Sequence, residues 1–301
     1  LVSIFPVFLP FLPIHSAGIL HLIFSMNVLE TVSKDLTQIP KTVRLSLEYV
    51  PSLPTAKKKF GTPYWVDWTE QLGAWVSGDG SDVKILIRDD ARDIDVGELT
   101  LGFTSVLTGV CLNLQGQVAI HANAVSLEGL GIAFVGYSGR GKSTLSAYCA
   151  SRGAGFITDD VLVINEHSHV VSGNPRIKLY PEVGEILGLD ASEETDYKIF
   201  YEPGQLGALL HRQPVPLGII YLLDESPDER IYAERLPQSQ AAYDLLTHGY
   251  DVSLFIPTNP NLLNAYARLV KQTPVKKLFY PRDFAMLPQV YDFLLKEVHQ
   301  L

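Results

Sequence analysis

The segment Gly136-Tyr137-Ser138-Gly139-Arg140-Gly141-Lys142-Ser143-Thr144 constrains this chain more than any other. It fits the pattern G-x-x-x-x-G-K-[ST], preceded by an apolar run over residues 130–135 that reads as a buried strand and followed by a helix-forming stretch over 145–150. Gly136, Gly139 and Gly141 allow a tight turn whose N–H groups point inward, and a helix N-terminus adds partial positive charge to that cradle. Such a loop binds the phosphates of a nucleotide. Lys142 then reaches the β- and γ-phosphates, the Ser143 hydroxyl ligates Mg²⁺, and Ser138, Arg140 and Thr144 complete the lining. The plain alternative is a glycine-rich turn carrying a solvated lysine.

With 301 residues, 47% of them hydrophobic, the chain can bury one large core or two smaller ones. A formal charge of −9 and an isoelectric point near 5.4 argue against a nucleic-acid-binding role, which needs a basic face. The dense basic run Lys57-Lys58-Lys59 reads as a solvated loop. Cys111 and Cys149 stand at no metal-ligand spacing, which fits a reducing, cytoplasmic compartment. His167-Ser168-His169 falls in a polar connection and reads as an exposed turn. Residues 1–24 are apolar but broken by Pro6, Pro10 and Pro13 and carry no Lys or Arg, so they suit neither a membrane span nor a secretory signal. The folded protein is expected to begin near Met26, residues 1–25 being either outside the native protein or a peripheral apolar arm.

Residues 26–112 read as an accessory region with a small β-rich part. Residues 43–47 and 83–87 alternate, residues 64–68 are aromatic, and Gly78-Asp79-Gly80 signals a turn. Tyr64, Trp65, Trp68 and Trp75 suit either a peptide-binding surface or an ordinary core. Leu99, Phe103, Val106, Leu107, Val110, Cys111 and Leu114 recur at helical spacing, with Cys111 in the core. In the expected catalytic domain, residues 113–301, a strand over 118–125 forms a hairpin with the strand before the glycine-rich loop. Further strands are expected over 218–223 and 254–256, and helices over 241–246, 262–270 and 287–298.

Asp159 and Asp160 lie between short apolar runs. One carboxylate at a strand end can hold Mg²⁺ and its neighbour can orient an attacking hydroxyl and take its proton; a polar turn is the bland reading. Only Phe156-Ile157-Thr158 precede Asp159, fewer than the apolar run before the acid of a typical P-loop ATPase. Taken together, His121-Ala122-Asn123-Ala124-Val125, the 136–144 loop, Arg152-Gly153 and Asp159-Asp160 resemble the catalytic domain of the HPr kinase/phosphorylase family. The resemblance covers residues 118–160 well and 176–301 loosely. It implies an α/β P-loop kinase core related to phosphoenolpyruvate carboxykinase, with ATP and Mg²⁺ as cofactors. Carried over by position, Lys142 and Ser143 bind phosphates and Mg²⁺, Asp159 and Asp160 share the metal and base roles, and His121 sits beside them.

The chain departs from the family in three places. Thr144-Leu145-Ser146 replaces the usual Glu-Thr-Ala, the Pro-Gly-Arg-Asn signature is missing, and the N-terminal domain is unmatched. Arg212 is the candidate to stabilise the transferring phosphoryl group in place of the missing signature. The expectation is an ATP-dependent serine kinase acting on a peptide or small protein, with no nucleic-acid partner and no membrane span; a homo-oligomer is compatible with it. A small-metabolite kinase and a non-catalytic ATP-binding regulatory module are the rivals.

Overall fold

A computed structural model of the chain describes residues 43–54, 63–67, 69–91, 106–171, 173, 176–189, 198–250 and 259–301. The expectations for residues 1–25, Lys57-Lys58-Lys59, Trp68, Leu99, Phe103 and the strand over 254–256 lie outside the described residues.

The fold is mixed α/β. The first sheet holds β1 (Arg44–Val50), β2 (Tyr64–Asp67), β3 (Leu72–Val76) and β4 (Asp82–Arg88) in the order β1-β4-β3-β2, with β1 parallel to β4. Tyr64 and Trp65 are buried, so these two aromatics serve as core and not as a peptide surface. A short helix, α1 (Thr108–Leu114), follows and buries Cys111 as expected.

The principal sheet is built from β5 (Val118–Leu127), β6 (Leu130–Val135), β7 (Gly155–Thr158), β8 (Val161–Ile164) and β9 (His169–Val171), then β12 (Val215–Glu225), β13 (Tyr232–Arg235) and β14 (Val275–Tyr280). Between them, β10 (Ile177–Leu179) and β11 (Ile199–Tyr201) form a separate antiparallel ribbon. Strands β14, β12 and β6 run parallel, and β5 pairs antiparallel with β6. Glu128 and Gly129 both take positive φ at the tip of that hairpin, the geometry a two-residue turn needs to follow the twist of its strands. The other edge of β5 is shared, β8 pairing with residues 118–121 and β7 with residues 124–126. Because β9 also pairs with the start of β12, the path β12-β6-β5-β8-β9 closes on itself.

Period-two alternation sorts the strands' side chains into two cores. Ile132 and Phe134 of β6, and Ile219, Tyr221 and Leu223 of β12, meet α2 (Lys142–Ser151) and α6 (Leu287–Val298) on one face. Ala133, Val135, Ile220 and Leu222 face the opposite way, toward α4 (Gln238–Thr247), α5 (Pro260–Gln272), α1 and the first sheet. The ribbon and α3 (Pro181–Ile186) make a third cluster with the other side of α2, through Ala147 and Ala150. Burying each large side chain here contributes about 1.5–3 kcal/mol relative to exposure. The expected helices over 241–246, 262–270 and 287–298 are present. Strands β9, β10, β11, β13 and β14 were not anticipated; His169, expected in an exposed turn, opens β9 and is half-buried, and in β14 Lys276 and Lys277 interrupt the apolar run that would have signalled a strand.

Gly109 of α1 lies directly against Tyr250, and a Cβ there would sit 2.1 Å from the ring Cδ2 and 2.4 Å from Cγ. Those atoms are at the base of the ring, so rotation cannot relieve the clash. Gly109→Ala is expected to lower stability in urea unfolding by about 1–3 kcal/mol, the usual cost of overpacking. Adding Tyr250→Ala should then cost less than it does in the native sequence; strictly additive losses would refute the contact as the cause.

Candidate functional site

The loop between β6 and α2 turns through Gly139 and Gly141, both at positive φ. Glycine is required at 141 twice over, because a Cβ there would also lie 2.5 Å from the Tyr280 hydroxyl. That hydroxyl donates to Arg140 O at 3.0 Å, and Arg282 Nη2 donates to Gly139 O at 2.5 Å, so β14 and the residues after it clasp the loop from outside. Lys142 is buried, with Nζ donating to Gly136 O at 2.6 Å and Tyr137 O at 3.3 Å. Burial pushes its ammonium down to about 8, against the opposing pull of Asp160. Ser138 is exposed and Thr144 half-buried, while the Arg140 guanidinium is turned to Asp224 at 3.2 Å.

At the start of α2 the loop meets the acid pair. Asp159 and Asp160 occupy the step between β7 and β8, opposite Ala122 and Asn123 of β5. Asp159 has no solvent exposure. Its Oδ1 accepts from Asn123 Nδ2 at 2.6 Å and from Ser143 Oγ at 3.3 Å, and its Oδ2 from the Lys178 backbone N–H at 2.8 Å. Burial first, and then the charge of Asp160, push the Asp159 carboxyl up to about 6.

Asp160 is made differently. It stands at φ 67°, a left-handed conformation that costs a non-glycine residue on the order of 1 kcal/mol. Two hydrogen bonds to its carbonyl hold it there, from Ala122 N at 3.0 Å and from the Tyr250 hydroxyl at 2.7 Å. Its carboxylate Oδ2 pairs with Lys178 Nζ. Burial acts upward on this carboxyl too, but the Lys178 charge and hydrogen bond outweigh it and hold Asp160 below the usual carboxylate range. Adjacent carboxylates are thus driven apart by their surroundings, a pattern that typically separates roles within an active site.

His121 sits beside them. Its backbone N–H donates to His248 O at 2.9 Å, and its Nδ1 lies 3.3 Å from the Tyr250 hydroxyl. A phenol has one proton to donate, and Tyr250 gives it to Asp160 O at the shorter distance. Nδ1 of His121 therefore carries the ring proton and donates to Tyr250, leaving Nε2 with a lone pair. Burial, reinforced by the charge of Lys142, lowers the imidazole to about 4, so it is neutral at pH 7.

Of the residues expected from the sequence, Lys142, Ser143, Asp159, Asp160 and His121 are thus brought into one neighbourhood. Arg212 lies in an exposed loop after Leu210 and makes no hydrogen bond or ion pair with that group among the described residues. Three participants were missed. Asn123 stands two residues from His121 on the same face of β5, which strand periodicity could have revealed; Lys178 and Tyr250 arrive from distant elements with no local signal.

Mg²⁺ fits the donor set. The Ser143 hydroxyl and the Asp159 carboxylate are hard oxygens side by side, while Asn123 turns its Nδ2 toward both and so holds them in place without being a ligand itself. Among the described residues no group of three or more His, Cys, Asp or Glu could hold a metal, so an ion here would share its coordination with phosphate oxygens and water. Among the described residues no helix is long and apolar enough to cross a membrane.

No protein-family model matches the sequence, and no curated protein does. Among solved structures, the chain is similar to the Hpr(Ser) kinase/phosphatase from Coxiella burnetii at 14% identity, over 60% of this chain and 95% of that one. The TM-score is 0.32, a likeness that carries no argument about the site.

Proposed function

We propose that this protein is an ATP-dependent kinase that transfers the γ-phosphoryl group to a serine hydroxyl of a peptide or small protein, with residues 113–301 as its catalytic unit. The observation that carries the reading is the cluster of Ser143, Asp159 and Asn123 where the glycine-rich loop enters α2, with the ionised Asp160 beside it. The motif resemblance adds the reaction class. A module that only binds a nucleotide would have no need of a second, differently tuned carboxylate next to the phosphate loop.

Ser143 and Asp159 would hold Mg²⁺, which when bound neutralises charge on the β- and γ-phosphates. Lys142 exchanges its bonds to the loop carbonyls for phosphate oxygens, and the loop N–H groups and the α2 N-terminus face the same anion. Asp160 accepts the hydrogen bond of the acceptor hydroxyl, orients its oxygen toward phosphorus and receives its proton as the new O–P bond forms and the bond to the departing diphosphate breaks. Phosphoryl transfer passes through a loose transition state, so orientation counts for more than basicity, and a carboxylate of low proton affinity suffices. His121, neutral, fixes Tyr250 and through it the strained backbone of Asp160.

Two substitutions test the division of labour. Asp159→Asn removes a buried charge without removing its shape, and the protein is expected to stay folded while Mg²⁺-dependent ATP binding by calorimetry and turnover both fall, the latter by about 10²–10⁴. Asp160→Asn should cut turnover comparably yet bind Mg²⁺-ATP as the native protein does. Loss of nucleotide binding in the second variant and not the first would reverse the assignment. Lys142→Ala should abolish both binding and transfer.

The neutral His121 has a consequence for pH. Its folded-state value, about 4, lies below the 6.5 of an unconstrained imidazole, so the unfolded chain binds the extra proton first. The stability this provides is complete above pH 6.5 and is lost as pH falls toward 4. His121→Gln should therefore lose less stability than the native protein between those values in urea titrations; parallel curves would show that the imidazole is free to protonate in the folded state.

A further inference from the structure

The ribbon of β10 and β11 has one face in the core and one face beside the acid pair. Ile177, Leu179 and Tyr201 are buried against α2. The opposite face alternates cations with aromatic rings across the two strands. Lys178 lies over Phe200, 5.7 Å from the ring centroid; one step beyond the paired residues, Lys198 lies 5.3 Å from the centroid of Tyr180; at the other end Arg176 meets Glu202 at 3.5 Å. Phe200 is 39% exposed and Tyr180 46%, unusual for two large rings so close together on a surface. Lys178 already bonds Asp160, so this face is continuous with the place where the acceptor hydroxyl must stand. The Lys198 ammonium is close enough to draw both carboxylates downward and to oppose the charge on Lys142. Arg176 and Lys178 are each paired with an acid, Glu202 and Asp160, whereas Lys198 faces the ring of Tyr180 and is the cation of this face that a ligand carboxylate can meet.

We infer that the outward face of the β10–β11 ribbon receives the acceptor, and that the acceptor is an acidic serine peptide whose carboxylate, two residues from the phosphorylated serine, pairs with Lys198. The inference rests on the kinase reading above and names its substrate class. The spacing follows from strand geometry. The Lys178–Phe200 and Tyr180–Lys198 pairs are two residues apart along the ribbon, about 7 Å, which is also the repeat of same-side residues in an extended peptide. A serine placed at Asp160 therefore presents its second neighbour to Lys198, and the two exposed rings supply apolar contact for the side chains between.

The test uses the full chain with Mg²⁺-ATP and serine peptides carrying Asp, Ala or Lys two positions before or after the serine, followed by phosphoserine formation and, separately, by fluorescence anisotropy of the labelled peptides. Asp is expected to exceed Ala in kcat/KM and in affinity by about twofold to fivefold at one of the two positions, the range for an exposed charge pair. Lys198→Glu should invert the order so that the Lys peptide is preferred. That inversion cannot arise from misfolding, which would depress all peptides alike. Phosphorylation of all three peptides at equal rates, in the native protein and the variant, would overturn this inference and leave the kinase reading standing. Phosphorylation of free small molecules with no peptide modified, or no transfer to any acceptor, would overturn both.

Discussion

A carboxylate without access to water must be matched by donors or it costs several kcal/mol, and Asp159 recruits its donors from three separate elements. Asn123 comes from the middle of β5, Ser143 from the first turn of α2, and the Lys178 backbone N–H from β10. Each bond ties a different piece of chain to one point. The glycine-rich loop, the hairpin and the ribbon are consequently set in register with one another by a single buried charge. Replacing Asp159 with an apolar residue could satisfy the core, but it would leave those three elements with no shared reference.

Local regularities made part of this legible from the amino-acid order alone. The strand, loop and helix around residues 130–151 follow from an apolar run, three glycines and a helix-forming stretch. The position of Asp159-Asp160 between two short strands follows from the apolar runs on either side. Asn123 was in plain view within the His-Ala-Asn-Ala-Val segment, but an asparagine inside an apolar strand gives no sign of its partner until the opposite edge of β5 is known. Lys178 reaches Asp160 across 18 residues and Tyr250 reaches it across 90. Such contacts depend on how the sheet closes, which no window of sequence reports. The two lysines of β14 misled for a related reason: Lys276 is turned to Glu297 of α6 and Lys277 to Asp224 of β12, so each looks like surface in sequence and is a bridge between elements in the fold.

The site also shows how one strand can serve two chemistries. The edge of β5 is divided between β7 and β8, and the step between them is where the backbone turns left-handed at Asp160. A continuous strand would have pointed the two acids to opposite faces of the sheet. The break lets both stay on the loop side, one buried among neutral donors and one paired with a lysine. The strain at that residue is carried by the bonds from Ala122 and Tyr250, which is why the packing of Tyr250 against Gly109, outside the acid pair itself, matters to its geometry.

The closure of β12-β6-β5-β8-β9 bears on how this molecule meets copies of itself. A sheet end whose N–H and C=O groups are unpaired is a template for another chain, and closing the path removes one such end. Along the described path the remaining free end is β13. It is four residues long, and its last two, Glu234 and Arg235, are exposed and of opposite charge. A short, charged edge of this kind discourages strand-by-strand aggregation. Strand addition at the β13 edge is thereby disfavoured, and the solvent-facing rings of the ribbon offer a surface on which recognition can rest on side chains.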